Sequence, residues 1–133
     1  IDAGTCVTFD FVNSKKEYIG GAISLGVKMR FKSLNTFTSN LPLIEKNYPN
    51  DFIGNSTKTS IQSGVINGIC KEIDGVINQY KQQFQDLTIV LTGGDTYFLA
   101  KQLKSSIFAN PNFLLEGLNA ILIYNKDEWL KES

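Results

Sequence analysis

The first twelve residues, I-D-A-G-T-C-V-T-F-D-F-V, are rich in β-branched and aromatic side chains. From Cys6 on they alternate, with Val7, Phe9 and Phe11 on one face. A period of two over that length predicts a strand. Asn13-Ser14-Lys15-Lys16 reads as a polar turn and residues 17–24, E-Y-I-G-G-A-I-S, as the returning arm, so the chain opens on a β-hairpin. Gly4 lies near its start and Gly20-Gly21 within its second arm, where glycines mark a bulge or the close approach of a backbone or ligand. After Leu25-Gly26 the period changes. Val27, Phe31, Leu34 and Phe37 fall at helical spacing over 27–38. Residues 40–52, with Pro42 and Pro49, read as a long loop. Over about 56–84, Ile61, Val65, Ile69, Ile73, Val76, Ile77 and Tyr80 recur at three- and four-residue steps, which predicts a long helix. Gly64, Gly68 and Gly75 interrupt it at roughly 1 kcal/mol each relative to alanine, and close helix packing is the expected compensation. Residues 87–91 are a continuous apolar run, read as a buried strand that feeds Thr92-Gly93-Gly94-Asp95 and then a helix at 96–105. A last helix is expected at 113–124, with apolar positions 114, 115, 118, 121 and 122. A charged tail follows, with Trp129 as an isolated anchor.

Strands that lead into helices in this order argue for an α/β layer structure. The opening hairpin is not a Rossmann feature, and neither G-x-G-x-x-G nor G-x-x-x-x-G-K-[ST] occurs. At 133 residues the chain is about one domain. Its 42% hydrophobic and 20% charged content is that of a soluble core which needs no disulfide or metal to hold it. Lys and Arg (13) balance Asp and Glu (13), which argues against a broad nucleic-acid or anionic-membrane surface. Clusters such as Lys28-Met29-Arg30-Phe31-Lys32 read as solvated faces. The two cysteines, Cys6 and Cys70, make no disulfide framework and read as buried thiols in a reducing cytoplasm. The absence of histidine removes Ser-His triads and His-ligated zinc from this chain. No run reaches the roughly 18 apolar residues of a membrane span, and no signal-peptide pattern is present.

Three short stretches carry candidate chemistry. In Asp2-Ala3-Gly4-Thr5, Gly4 lets a backbone amide approach an anion, Thr5 offers a hydroxyl and an amide to a phosphate oxygen, and Asp2 can hold a cation through hard oxygens. The bland reading is a strand entry. In Leu91-Thr92-Gly93-Gly94-Asp95 a buried strand delivers two glycines to a helix N-terminus, which attracts anions, and bare backbone there lets a flat ring lie close. Its bland reading is a tight turn with Asp95 or Thr96 as N-cap. The third stretch, Ile53-Gly54-Asn55-Ser56-Thr57, gathers hydroxyl groups where a loop enters the long helix. It reads either as capping by Asn55 or Ser56 or as a polar ligand contact from Thr57.

The succession is more specific than its parts. D-A-G-T, G-G-A-I-x-L-G at 20–26, L-P at 41–42, I-G-N-S-T with S-G at 63–64, L-T-G-G-D and L-x-x-G-L at 114–118 together resemble the type III pantothenate kinases along nearly the whole chain. The resemblance implies a ribonuclease-H-like domain of the actin-like ATPase superfamily. It also implies transfer of the ATP γ-phosphate to the hydroxyl of pantothenate, the first step toward coenzyme A. By position, Asp2 matches the aspartate that binds a monovalent cation, potassium or ammonium. Thr5 matches the ATP-binding threonine, with Gly4 beside it. Thr57 matches the threonine that contacts pantothenate across a dimer interface, and Gly93 and Gly94 match the glycine pair of the nucleotide cleft. Cys6 after D-A-G-T departs from the small residue usual there.

Two family elements do not occur in this sequence. They are the D-x-G-N-T loop that supports magnesium–ATP and the G-x-D-R segment with the catalytic base. Both are expected upstream of Ile1, so residues 1–133 read as the C-terminal domain of a two-domain kinase, inactive alone, with no catalytic base assigned. Asp10, Asp51 and Asp95 are carboxylates that nothing places at an attacking hydroxyl. Two alternatives stay open: a non-catalytic regulatory relative that kept the fold, and a kinase of another small acid or sugar. A homodimer packed through the long helix, and an apolar face turned toward the missing domain, complete the expectations.

Overall fold

The computed structural model describes the backbone of residues 1–132 and side chains as far as residue 126. The opening stretch is not one strand. Gly4 and Thr5 reverse the chain, so β1 (Asp2–Ala3) folds back antiparallel on β2 (Cys6–Val12), pairing Ala3 with Val7 and Asp2 with Thr8. The alternation from Cys6 survives, because Val7 and Phe9 face the core and are buried. β2 then pairs antiparallel with β3 (Tyr18–Leu25), and the register slips between Phe11 and Val12, beside Gly20.

Helix α1 (Val27–Thr36) stops before Phe37, which is 84% exposed and contributes nothing to the core. Arg30 is not part of a solvated basic face. Its guanidinium donates to the Leu25 carbonyl (2.8 Å) and the Ser24 hydroxyl (3.0 Å) and pairs with Glu72 at 2.6 Å, tying β3 and α1 to the next helix. That helix, α2 (Thr57–Gln83), starts on a reciprocal cap. The Ser56 hydroxyl accepts from the Thr59 amide, and the Thr59 hydroxyl accepts from the Ser56 amide. Ile61, Val65, Ile66, Ile69, Ile73 and Ile77 form its buried stripe. Gly64, Gly68 and Gly75 do not mark close packing within this chain, since no atom stands within 4 Å of where a Cβ would lie.

The run at 87–91 contributes a strand only at β4 (Val90–Leu91), parallel to β5 (Phe108–Ala109). Between them α3 (Thr96–Ala100) is shorter than the predicted 96–105. The amides of Lys104 and Ser105 leave the helical ladder and donate to the buried carboxylate of Asp74 on α2. The small sheets meet edge to edge. Thr92 N–H donates to Ile1 O (2.8 Å), Ala3 N–H donates to Thr92 O (2.7 Å), and Asp2 and Thr92 form a parallel bridge. Strand order is therefore β3-β2-β1-β4-β5, with β2 alone running against the rest among the described residues. One face of this mixed sheet, through Ala3, Val7, Phe9 and Leu91, packs on α2 to form the core.

Cys70 is buried in that core, and burial pushes its thiol up to about 11, with Asp74 adding to the effect. Cys6 is half-buried, so the expectation of two buried thiols holds for Cys70 alone. Helix α4 (Phe113–Glu132) runs through most of the stretch expected to be a tail. Its large apolar side chains, including Leu114, Leu118, Ile121 and Leu122, are exposed. The Trp129 side chain lies outside the described residues.

Candidate functional site

The β1–β4 ladder brings D-A-G-T and L-T-G-G-D, from opposite ends of the chain, into contact. Gly93 has φ +96°, and a Cβ there would lie 2.3 Å from Asp2 Oδ1 and 2.6 Å from the Ala3 carbonyl oxygen. Only glycine lets the turn pass under the carboxylate. The turn is locked by Asp95 N–H donating to Ala3 O (2.9 Å) and by the Thr96 hydroxyl donating to Gly93 O (2.6 Å). Gly94 is exposed, with open space where its Cβ would be. Asp95 occupies the N-cap position of α3 without capping it, because its carboxylate pairs with Lys46.

On the other side of Asp2, the Gly4–Thr5 turn packs against Gly26, the N-cap of α1. A Cβ on Gly26 would lie 2.2 Å from Gly4 O and 2.3 Å from Thr5 O, and Gly26 N–H donates to Thr5 O (3.1 Å). Thr5 is exposed, and its backbone lies against a helix N-terminus, whose free amides and dipole favour negative charge. Asp2, Gly4, Thr5 and Gly93 are brought together where the turn after β1 meets the turn after β4, and Gly94 follows in the second turn. Thr57 belongs elsewhere. It is the exposed first residue of α2, on the helix face that continues through Ser60, Gly64, Gly68 and Lys71. That face lines an open groove of ≈ 540 Å³ against residues 52–54.

Three residues near these turns have a placement that the sequence does not signal. Gly26 was visible only as the end of G-G-A-I-x-L-G, and its close approach to the Gly4–Thr5 turn is a tertiary event. Lys46 comes from the long loop, which carries no periodic signal. Its ammonium lies 5.2 Å from the Phe98 ring centroid, and Tyr48 stacks on the same ring at 4.4 Å, so the loop is strapped to α3 beside the glycine turn. Thr92 is 7% exposed, and among the described residues its Oγ1 is the buried side-chain polar atom without a hydrogen-bond partner in the protein. Of the other carboxylates, Asp10 accepts from Thr8 Oγ1 (2.8 Å) and Tyr18 OH (2.9 Å), and Asp51 is exposed on the loop.

These features define a mixed α/β chain in which two glycine-containing turns meet at one half-buried carboxylate. Comparison with known proteins narrows this. A model of the type III pantothenate kinase family matches residues 1–79. The chain is 56% identical over 128 residues to a type III pantothenate kinase of Christiangramia forsetii, covering 96% of this chain and 53% of that protein. It is 50% identical over 127 residues to the one of Flavobacterium johnsoniae, covering 96% and 52%. A crystal structure from Campylobacter jejuni, described as a Baf family transcriptional activator, superposes with a TM-score of 0.63 over 95% of this chain and 57% of that one. At 22% identity that likeness speaks to the fold alone. The chain belongs to the type III pantothenate kinase family, and it spans about half the length of the curated relatives it matches.

Proposed function

We propose that this chain is the C-terminal, nucleotide-cleft half of an ATP-dependent kinase that phosphorylates the hydroxyl of pantothenate to give 4'-phosphopantothenate, in the cytoplasm. The observation that carries the reading is the meeting of Asp2 with the Gly93 turn, next to Gly4, Thr5 and the N-terminus of α1. Phosphoryl transfer is catalysed mainly by positioning and by neutralising charge. The backbone of Gly4, the amide and hydroxyl of Thr5 and the first turn of α1 suit phosphate oxygens. The open backbone of Gly94 suits the flat face of a base. The strand order, with β2 alone reversed, supports a ribonuclease-H-like domain of the actin-like ATPase type.

A monovalent cation, potassium or ammonium, fits at Asp2. The carboxylate is half-buried, and Thr92 beside it leaves a buried hydroxyl without a partner. A bound cation there would offset the repulsion between phosphate and carboxylate. Magnesium would bind with the ATP phosphates, and the catalytic base is assigned to the other half of the kinase. Thr57 is exposed at the first turn of α2, ahead of Ser60, which lines the groove. That placement supports a homodimer in which Thr57 meets pantothenate bound by the partner. The exposed stripe of α4, Leu114, Leu115, Leu118, Ile121 and Leu122, is read as the surface that docks on the other half of the protein. The relatives are about twice as long as this chain, and that length supplies the occupant.

The test is pantothenate phosphorylation by the full-length protein with ATP and magnesium, in potassium and in sodium. Potassium-dependent turnover that falls with Asp2→Ala and Thr57→Ala is expected. Turnover indifferent to the cation would remove the role given to Asp2. A folded protein that binds ATP yet turns over in neither salt would sink the kinase reading.

A further inference from the structure

We infer that Thr92 is a ligand residue of the cation at Asp2, its hydroxyl oxygen completing the set of hard oxygens that the carboxylate begins. The inference rests on the cation reading of Asp2 given above. Partners in a β-bridge project to the same face of a sheet, on strands ~4.8 Å apart. Asp2 and Thr92 are such partners, so the hydroxyl and the carboxylate share a face at neighbouring positions. Gly93 then passes directly beneath Asp2 Oδ1, which leaves Thr92 as the side chain adjoining the carboxylate on the β4 side.

The hydroxyl is the unusual part. Thr92 is 93% buried (100 minus the 7% that remains exposed), and its Oγ1 has no partner in the protein. Burying a hydroxyl without a hydrogen bond is unfavourable, and a β-branched valine would fill the same space without that cost. Nearby hydroxyls behave otherwise: Thr96 donates to Gly93 O and Thr8 donates to Asp10. A threonine oxygen carries two lone pairs, which a cation can take without charge repulsion or proton loss. A carboxylate with a neutral hydroxyl beside it is a donor set for a weakly charged, oxygen-seeking ion.

The experiment is thermal unfolding of the full-length protein without nucleotide, titrated with potassium chloride against choline chloride at constant ionic strength. Wild type, Asp2→Asn, Thr92→Val and Thr92→Ser are compared. Potassium is expected to raise the wild-type melting temperature and Asp2→Asn to abolish the rise. Thr92→Val should raise the half-saturating potassium about tenfold, with Thr92→Ser near wild type. In choline alone, Thr92→Val should melt no lower than wild type, because it removes an unpaired hydroxyl and keeps the shape. Two results overturn the inference while leaving Asp2 in place: an unchanged potassium midpoint in Thr92→Val, or a lower melting temperature of that variant in choline, which would show the hydroxyl bonded within the protein. A wild-type protein unmoved by potassium would overturn the Asp2 reading and this one with it.

Discussion

At Gly93 a missing Cβ decides whether the turns after β1 and β4 can meet. With φ at +96° and Asp2 Oδ1 at 2.3 Å from the would-be Cβ, Gly93→Ala must both strain the backbone and displace the carboxylate. It should cost about 1–3 kcal/mol in denaturant unfolding. Gly94→Ala, with open space at the same atom, should stay within about 0.5 kcal/mol of wild type. Asp74 works at the same scale by charge. Burial pushes its carboxyl up, but the bonds it accepts at Lys104 and Ser105 outweigh this and leave it below the usual aspartate value. A depressed carboxyl stabilises the fold fully above its unfolded value and loses that contribution as pH falls through the folded one. Asp74→Asn should therefore unfold more easily at neutral pH by about 1.5–3 kcal/mol. The gap to wild type should narrow below the ordinary aspartate range. A gap independent of pH from neutral down to acid unfolding would contradict the assignment.

Helix α2 is the element on which both faces of the molecule depend. Its isoleucine stripe closes the core, while its opposite face carries Thr57, the glycines and the groove. The helix is capped at its start by Ser56 and Thr59, where Asn55, Ser56 and Thr57 are all exposed, and Gly54 of the preceding loop packs against Ser60. Ser56→Ala should cost about 1 kcal/mol. It should also raise amide exchange at the first turn, at Lys58 and Thr59, without altering exchange at Ile69 and Ile73. Equal acceleration along the whole helix would mean that the cap serves global rather than local stability. The long helix is legible because a three- and four-residue recurrence from Ile61 to Tyr80, about five turns, has no strand counterpart. Strands β1, β4 and β5 were not legible at their true length. Two-residue strands carry no period, and the bridge that joins β1 to β4 links opposite ends of the chain. Helix α3 was overestimated for a related reason: periodicity continued, but a carboxylate on another helix drew the amides of Lys104 and Ser105 away.

For the molecule as a whole, the exposed apolar stripe of α4 is where the docking proposed above can be tested. Leu118 is 55% exposed here. Leu118→Glu should leave the unfolding of this 133-residue chain within about 0.5 kcal/mol of its parent. In the full-length protein the same change would bury a carboxylate in an apolar interface and cost about 2 kcal/mol or more. Parallel denaturation of the two lengths checks this, and equal effects in both would remove α4 from the docking surface.

The sequence alone determined the α/β class, the opening hairpin, the long amphipathic helix and the candidate residues, because side-chain period, glycine placement and the order of short motifs are properties of the chain as written. The resemblance that named the family rests on the same linear order. Tertiary structure alone decided that Asp2 and Gly93 touch, that Gly26 closes on the Gly4–Thr5 turn, that Lys46 straps the loop to α3 and that the Thr92 hydroxyl is left without a partner. Each of these is a distance between residues remote in the chain, fixed by which backbone groups pair across the sheet, and no local pattern encodes it.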